Sequence, residues 1–183
     1  MEVQTDTVRQ MAAAFTAGTL DVDLFLRGAC KVMGERLYCD RVNIWRFEGP
    51  PGLRTLHCVV AYPSSRTEGL PPELSDAEYG DCFSALARSG YVVSADVRTD
   101  PRLTGLLHSY LEPRHVRSLL SVGFSVNGCT VGMLCCEQTL DGRQWHPAEV
   151  ATVRRACTTL SLALTKSYDW EKHFPENMPV TRS

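Results

Sequence analysis

The chain has 183 residues, 44% hydrophobic and 22% charged, the balance of an ordinary globular protein. Nineteen Lys plus Arg against 21 Asp plus Glu leave a net charge of −2, which removes any electrostatic case for nucleic acid or an anionic membrane as partner. No apolar run reaches the roughly 18 residues of a spanning helix, and the acidic start MEVQTDTVRQ lacks the basic region and apolar core of a secretion signal. A cytoplasmic domain without membrane insertion is therefore expected.

In chain order, residues 5–17 read as a helix. Val8, Met11 and Phe15 recur at helical spacing, Ala12 to Ala14 are strong helix formers, and Gly18 stops it. A second helix over 21–37 has Thr19 or Asp21 as cap and a broad apolar face (Phe25, Leu26, Ala29, Met33, Leu37) that needs a sheet to cover it. Residues 41–48 form a strand with Val42 and Ile44 on one side and Asn43, Trp45 and Phe47 on the other. Gly49-Pro50-Pro51-Gly52 breaks it, and 55–62 returns as the partner strand. Residues 63–78 read as a loop rich in Pro, Ser and acid. A short helix over 79–89 and a strand over 91–95 follow. The stretch 96–113, punctuated by Asp and Pro, holds a helical turn or two near 103–110.

The pair 116–126 and 129–138 organises the rest. Asn127-Gly128 suits a type I′ turn, which needs φ > 0 at both central residues. Alternation puts Val116, Ser118, Leu120, Val122, Phe124 and Val126 on one face and Arg117, Leu119, Ser121, Gly123 and Ser125 on the other. The greasy face calls for helices; the small, partly polar face leaves room for a ligand or for a covering helix. Pro147 opens the last helix, over 147–168, with Val150, Val153, Cys157, Leu160 and Leu164 as a seam continuing toward Tyr168 and Trp170. Residues 1–18 are expected as an N-terminal helix, 19–168 as the domain and 169–183 as a linker-like tail. The fold class is α+β: a central antiparallel sheet of five or six strands, terminal helices on one face, loops and short helices over a pocket on the other.

Eight cysteines form no CxxC pair, and no His lies at zinc-finger spacing from them, so they read as reduced core thiols.

Several segments together resemble a GAF domain, the small-molecule sensor module of signalling proteins: RVNIWRF at 41–47, YGDCFSALARSGYVVSADVRTDPRL at 79–103, SYLEPRHVRSLLSVGFSVNGCTVGMLCCEQ at 109–138 and RQWHPAEVATVRRACTTLSLAL at 143–164. The resemblance spans about residues 20–165 and is strongest to bacterial GAF domains upstream of kinase or cyclase output domains. It implies a ligand pocket on the sheet face away from the terminal helices. Candidates to line it are Asn43, Trp45, Tyr79, Cys82, Phe83, Tyr110, Leu111, Arg117, Leu119 and Ser121. Trp45 would offer a stacking surface or simply fill the core. Arg117 would hold a carboxylate or phosphate, or form a structural ion pair with Glu137. The cofactor is left unknown. The cyclic-nucleotide signature of the family is missing, His57-Cys58 reverses the bilin-type Cys-His order, and none of His57, His108, His115 and His146 has the context of a haem ligand.

The expected function is a non-enzymatic sensor of an unidentified small molecule. It would form a homodimer through its terminal helices and pass ligand state to an output domain, in the same protein or in trans. The alternatives are a thiol redox sensor through Cys82, a free-methionine sulfoxide reductase-like enzyme, and a ligand-free dimerisation module. An open cavity lined by Trp45 and Arg117, with Tyr110 near its mouth, suits the sensor; a face filled by its own side chains favours the scaffold. Val8, Met11, Phe15 and the far half of the last helix are expected bare in a monomer unless the first helix folds back over the last.

Overall fold

The computed structural model describes residues 3–50, 53–63 and 73–167. Its elements are α1 (Val3–Thr16), α2 (Val22–Leu37), β1 (Arg41–Glu48), β2 (Thr55–Tyr62), β3 (Leu74–Ser75), α3 (Asp76–Ser89), β4 (Tyr91–Ser94), the three-residue turn α4 (Thr104–Leu106), β5 (Val116–Val126), β6 (Cys129–Thr139) and the long α5 (Pro147–Ser167). Local chemistry sets the boundaries. The Asp21 carboxylate accepts from Leu24 N–H at 2.8 Å and opens α2, and Tyr38 in the left-handed region closes it. Glu78 reaches back to the Ser75 N–H at 3.0 Å and opens α3. Asn127 and Gly128 both take positive φ, as the tight turn between β5 and β6 requires.

The six strands pair antiparallel throughout in the order β3-β2-β1-β6-β5-β4, an α+β sheet as expected. β3 lies inside the stretch read as a loop; its two residues are too short for any periodicity to show. The residues of that loop from 64 to 72, Pro51 and Gly52, and the continuation of the last helix through Tyr168 and Trp170 into the tail lie outside the described residues.

α1, α2 and α5 cover one face. Val42, Ile44, Leu120, Val122, Phe124, Leu134 and Cys136 are buried beneath them. One open alternative is decided and one expectation needs correction. First, α1 folds back over α5 and α2 within the chain, so Val8 and Phe15 are buried and Met11 is half-buried. Phe15 stacks on Phe25 with centroids 5.1 Å apart, and the missing side chain of Gly28 makes room for the Met11 sulfur. Among the described residues the apolar seam of α5 through Leu164 is thus closed by the chain's own helix, the other of the two outcomes the sequence allowed. Second, the pairing of β5 with β6 slips between Val116 and Ser118. The alternation breaks at this bulge, and Val116 joins the cluster on the opposite face from Leu120, Val122 and Phe124.

On that opposite face lie α3 and the segment 101–111, a 3-10 turn, α4 and a five-residue π-turn in succession. They press Tyr79, Cys82, Leu103, Leu106, Tyr110 and Leu111 onto Trp45, Leu119, Met133 and Cys135 of the sheet.

Candidate functional site

Strand alternation at the end of β6 sends Leu134 and Cys136 under the helices and Met133, Cys135 and Glu137 to the other side. Glu137 is wholly buried. A charge there survives only if it is paired and hydrogen-bonded, and its neighbours supply both. Its Oε1 accepts from the Tyr110 hydroxyl at 2.6 Å and from Asn43 Nδ2 at 3.0 Å. Its Oε2 lies 3.2 Å from Arg41 Nε. That contact is an ion pair whose geometry is not that of a hydrogen bond, so Oε2 keeps acceptor capacity. The far end of Arg41 donates to the Arg114 carbonyl, which ties the start of β1 to the loop before β5. Burial pushes the Glu137 carboxyl above its ordinary range, against the opposing pull of Arg41 and then of the Tyr110 hydrogen bond.

In front of this network the side chains enclose a cavity of about 20 Å³, room for a single water. Trp45 and Tyr110 meet edge to face at 5.4 Å to form one wall. Tyr79, with its hydroxyl toward the Met133 sulfur, and Cys82 form another; Leu74, Leu106, Leu111, Leu119, Ser121 and Cys135 complete it. The Ser121 hydroxyl donates to Cys135 Sγ at 3.1 Å. Glu137 is the charged residue among the lining side chains.

Of the candidates read from sequence, Trp45, Tyr79, Cys82, Tyr110, Leu111, Leu119 and Ser121 line the cavity, and Asn43 stands against it through Glu137 and Tyr110. Two do not. Phe83 lies one helical position off, packing edge-on against Phe47 at 5.2 Å with the Arg54 guanidinium 4.0 Å over its ring. Arg117 is turned away by the β5 bulge and does not line the cavity; it sits near Asp96, whose carboxyl it helps draw down. The expected Arg117–Glu137 pair is likewise replaced by Arg41–Glu137. Sequence reasoning missed Arg41, Glu137, Met133, Cys135, Leu74 and Leu106. The one available signal was an acid in an otherwise apolar strand, at the alternation position of Met133 and Cys135.

Burial pushes the Cys82 thiol up to about 12, so at neutral pH it is a thiol and not a nucleophilic thiolate. His57 bridges Glu48 at 3.0 Å and Glu73 at 2.9 Å outside the cavity, while His108, His115 and His146 are exposed. Among the described residues no group of three or more His, Cys, Asp or Glu side chains is placed to hold a metal, and no helix is long and apolar enough to cross a membrane.

No curated protein sequence is significantly similar to the chain. Solved structures share its fold. The GAF domain of an Acinetobacter phosphoenolpyruvate-protein phosphotransferase superposes with a TM-score of 0.69 at 14% identity, covering 97% of this chain and 99% of that one. The phycoerythrobilin-bound GAF domain of a cyanobacterial phytochrome gives 0.70 at 18% identity, covering 90% and 96%. The blue-light-absorbing form of the PixJ GAF domain of Thermosynechococcus elongatus gives 0.64 at 22% identity, covering 93% and 94%. The sequence pattern of the GAF domain matches residues 21–164, which hold both the sheet and the buried Glu137 network, and the chain belongs to the GAF-domain family.

Proposed function

We propose that this GAF domain is a non-catalytic sensor of a small molecule, which enters between the sheet and the segment 101–111 and whose presence is read out through α5. The observation that carries the reading is a wholly buried carboxylate network facing a cavity with aromatic and sulfur-bearing walls, on the sheet face away from the terminal helices. Replacing a buried charge pair by well-packed apolar side chains is often neutral or stabilising, so stability alone does not account for this one. The route to α5 is short. β5 and β6 carry cavity residues and helix-face residues in alternation, so a shift of Leu119 or Glu137 is felt by Leu120 and Cys136 beneath the helices. An output domain such as a kinase or cyclase, in the same protein or in trans, and a homodimer formed by the terminal helices belong to this proposal. The surface left for a second copy is the shallow groove between α1 and α5 beside exposed Leu162.

The bilins named for some fold relatives are a poor match in size. Drug-sized ligands occupy roughly 300–1,000 Å³, against about 20 Å³ here. The ligand is therefore smaller than a tetrapyrrole, bound without a covalent thiol link, and admitted by outward movement of 101–111. π-turns often mark such functional segments. The tight closure also favours a second reading, a packing module that takes no ligand. Native mass spectrometry of the purified protein separates the two: a bound mass released on denaturation supports the sensor. A bare chain, with 101–111 amides as protected from exchange as those of β5, supports the packing module. Peroxide treatment with mass mapping tests the thiol alternative. Exposed Cys129 should oxidise ahead of Cys82, and preferential oxidation of Cys82 would revive a redox role.

A further inference from the structure

Resting on the sensor reading above, we infer that the cavity selects a neutral, flat molecule that donates a hydrogen bond, and that it rejects carboxylates and phosphates. The polar atoms around it decide this. Three donors beside it are already used: the Tyr110 hydroxyl and Asn43 Nδ2 both point at Glu137 Oε1, and the Ser121 hydroxyl points at Cys135 Sγ. The atoms left without a hydrogen bond in and beside the buried network are Asn43 Oδ1 and Glu137 Oε2, both acceptors, together with Arg114 Nε and Arg41 Nε. The Arg41 nitrogen sits 3.2 Å from Oε2 and does not line the cavity. An anion entering the site would lie against the buried Glu137 carboxylate. A full cation is disfavoured too, because Arg41 already offsets the carboxylate and the Arg114 guanidinium lies 5.8 Å from the Tyr110 ring. A neutral N–H or O–H meets the one unfilled requirement, an acceptor in search of a donor. The edge-to-face Trp45–Tyr110 pair and the Met133 sulfur then favour a flat ring beside that donor.

The experiment is calorimetric titration of the full chain with three probes of one shape: indole, which donates through N–H; benzofuran, which replaces that N–H by an acceptor oxygen; and indole-3-carboxylate, which adds an anion. Indole should bind at least about tenfold more tightly than benzofuran, the usual size of a hydrogen bond to a charged acceptor, and indole-3-carboxylate should bind more weakly than either. Glu137→Gln should narrow the indole-to-benzofuran ratio. Should that variant not fold, Tyr110→Phe decides. It removes the hydroxyl that occupies Oε1, frees an acceptor and should keep or widen the ratio, and a ratio that collapses there overturns the inference. Equal binding of indole and benzofuran, preference for the carboxylate, or binding of none of the three also overturns it. The sensor reading stands or falls separately, on the native mass of the protein.

Discussion

The two faces of one sheet are built from alternate residues of the same strands, yet they differ in kind. Toward α1, α2 and α5, β5 and β6 present Leu120, Val122, Phe124, Leu134 and Cys136, all apolar and all buried. Toward α3 and 101–111 the same strands present Leu119, Ser121, Cys135 and Glu137, with a buried carboxylate, two acceptors without partners and a π-turn overhead. The first face keeps close to the local rules for a core, with the buried Ser118 and the unpartnered Trp145 Nε1 as exceptions. The second breaks several at once, and such departures concentrate where a protein works and not where it is merely held together. Stability should therefore be dominated by the first face and ligand selection by the second, and substitutions on the two should separate these properties.

The largest effect is expected from Phe124→Ala. Phe124 is 1% exposed, and its ring fills the space over Gly132, where an added Cβ would strike it. Truncation should cost about 3–5 kcal/mol, the usual range for a buried Phe, read from urea unfolding, with the indole-to-benzofuran ratio of the surviving folded protein unchanged. A cost under about 1 kcal/mol would mean that the helix face is not the main core.

Next comes the buried pair. Glu137→Ala takes the counter-charge from Arg41 and an acceptor from both the Tyr110 hydroxyl and Asn43 Nδ2. Breaking a buried pair costs about 3–5 kcal/mol, and the low end applies because the Arg41 side chain keeps 14% exposure. The double change Arg41→Met with Glu137→Met removes both charges and should recover much of that loss while abolishing the donor preference. Recovery of stability with selectivity intact would place the ligand elsewhere.

These two substitutions also mark how far the sequence could be read. The helix face was legible because period-two alternation and helical spacing are local signals: the bounds of β1, β2 and β5 match the expected ones, and Phe124 falls where alternation puts it. Seven of the ten candidates line the cavity: strand alternation put Trp45, Leu119 and Ser121 on that face, and the family resemblance pointed to Tyr79, Cys82, Tyr110 and Leu111. Arg117 fails because a single bulge between Val116 and Ser118 reverses its face, and the bulge depends on pairing with β6, not on β5 itself. The Arg41–Glu137 pair joins residues far apart in sequence across two strands, and nothing in either segment alone announces the other. The fold-back of α1 was open to the sequence only as one of two outcomes, because the same apolar stripe can close on its own chain or on a second copy.

A smaller, local effect is expected at Gly105. A Cβ there would collide with the Glu78 carbonyl in the first turn of α3, so α4 can dock on α3 only with glycine at this position. Gly105→Ala should cost about 1–3 kcal/mol as an overpacking change. Faster amide exchange should be confined to 101–111, with β5 and α5 unaffected. Should the packing module be correct and the segment immobile, exchange would instead rise across the sheet along with global stability loss.

The smallest effect, and the finest test of the comparison, lies in two carboxylate–guanidinium pairs that differ in burial. Asp96 and Arg98 form a two-pronged pair at the surface, 3.0 Å and 2.6 Å, with side-chain exposures of 33% and 46%. Hydrogen bonds from Arg98 lower the Asp96 carboxyl from 3.8 to about 2. Its contribution to stability is therefore present above pH 3.8 and lost as pH falls through about 2. Solvent screens such a pair, so Asp96→Asn should barely move the unfolding midpoint at neutral pH. Glu137 runs the other way. Burial outweighs Arg41 and raises its carboxyl above the ordinary value of 4.5. The folded state holds that proton more tightly than the unfolded state. Its contribution is fully present below 4.5 and declines as pH rises through the folded value. Urea unfolding across acidic to neutral pH should accordingly show the wild-type advantage over Asp96→Asn growing with pH and the wild-type advantage over Glu137→Gln shrinking. An advantage over Glu137→Gln that grows with pH would show that Arg41 and Tyr110 outweigh burial. The carboxylate would then be held by its partners as firmly as the surface one, and the cavity face would be an ordinary paired core with no acceptor left over for a ligand.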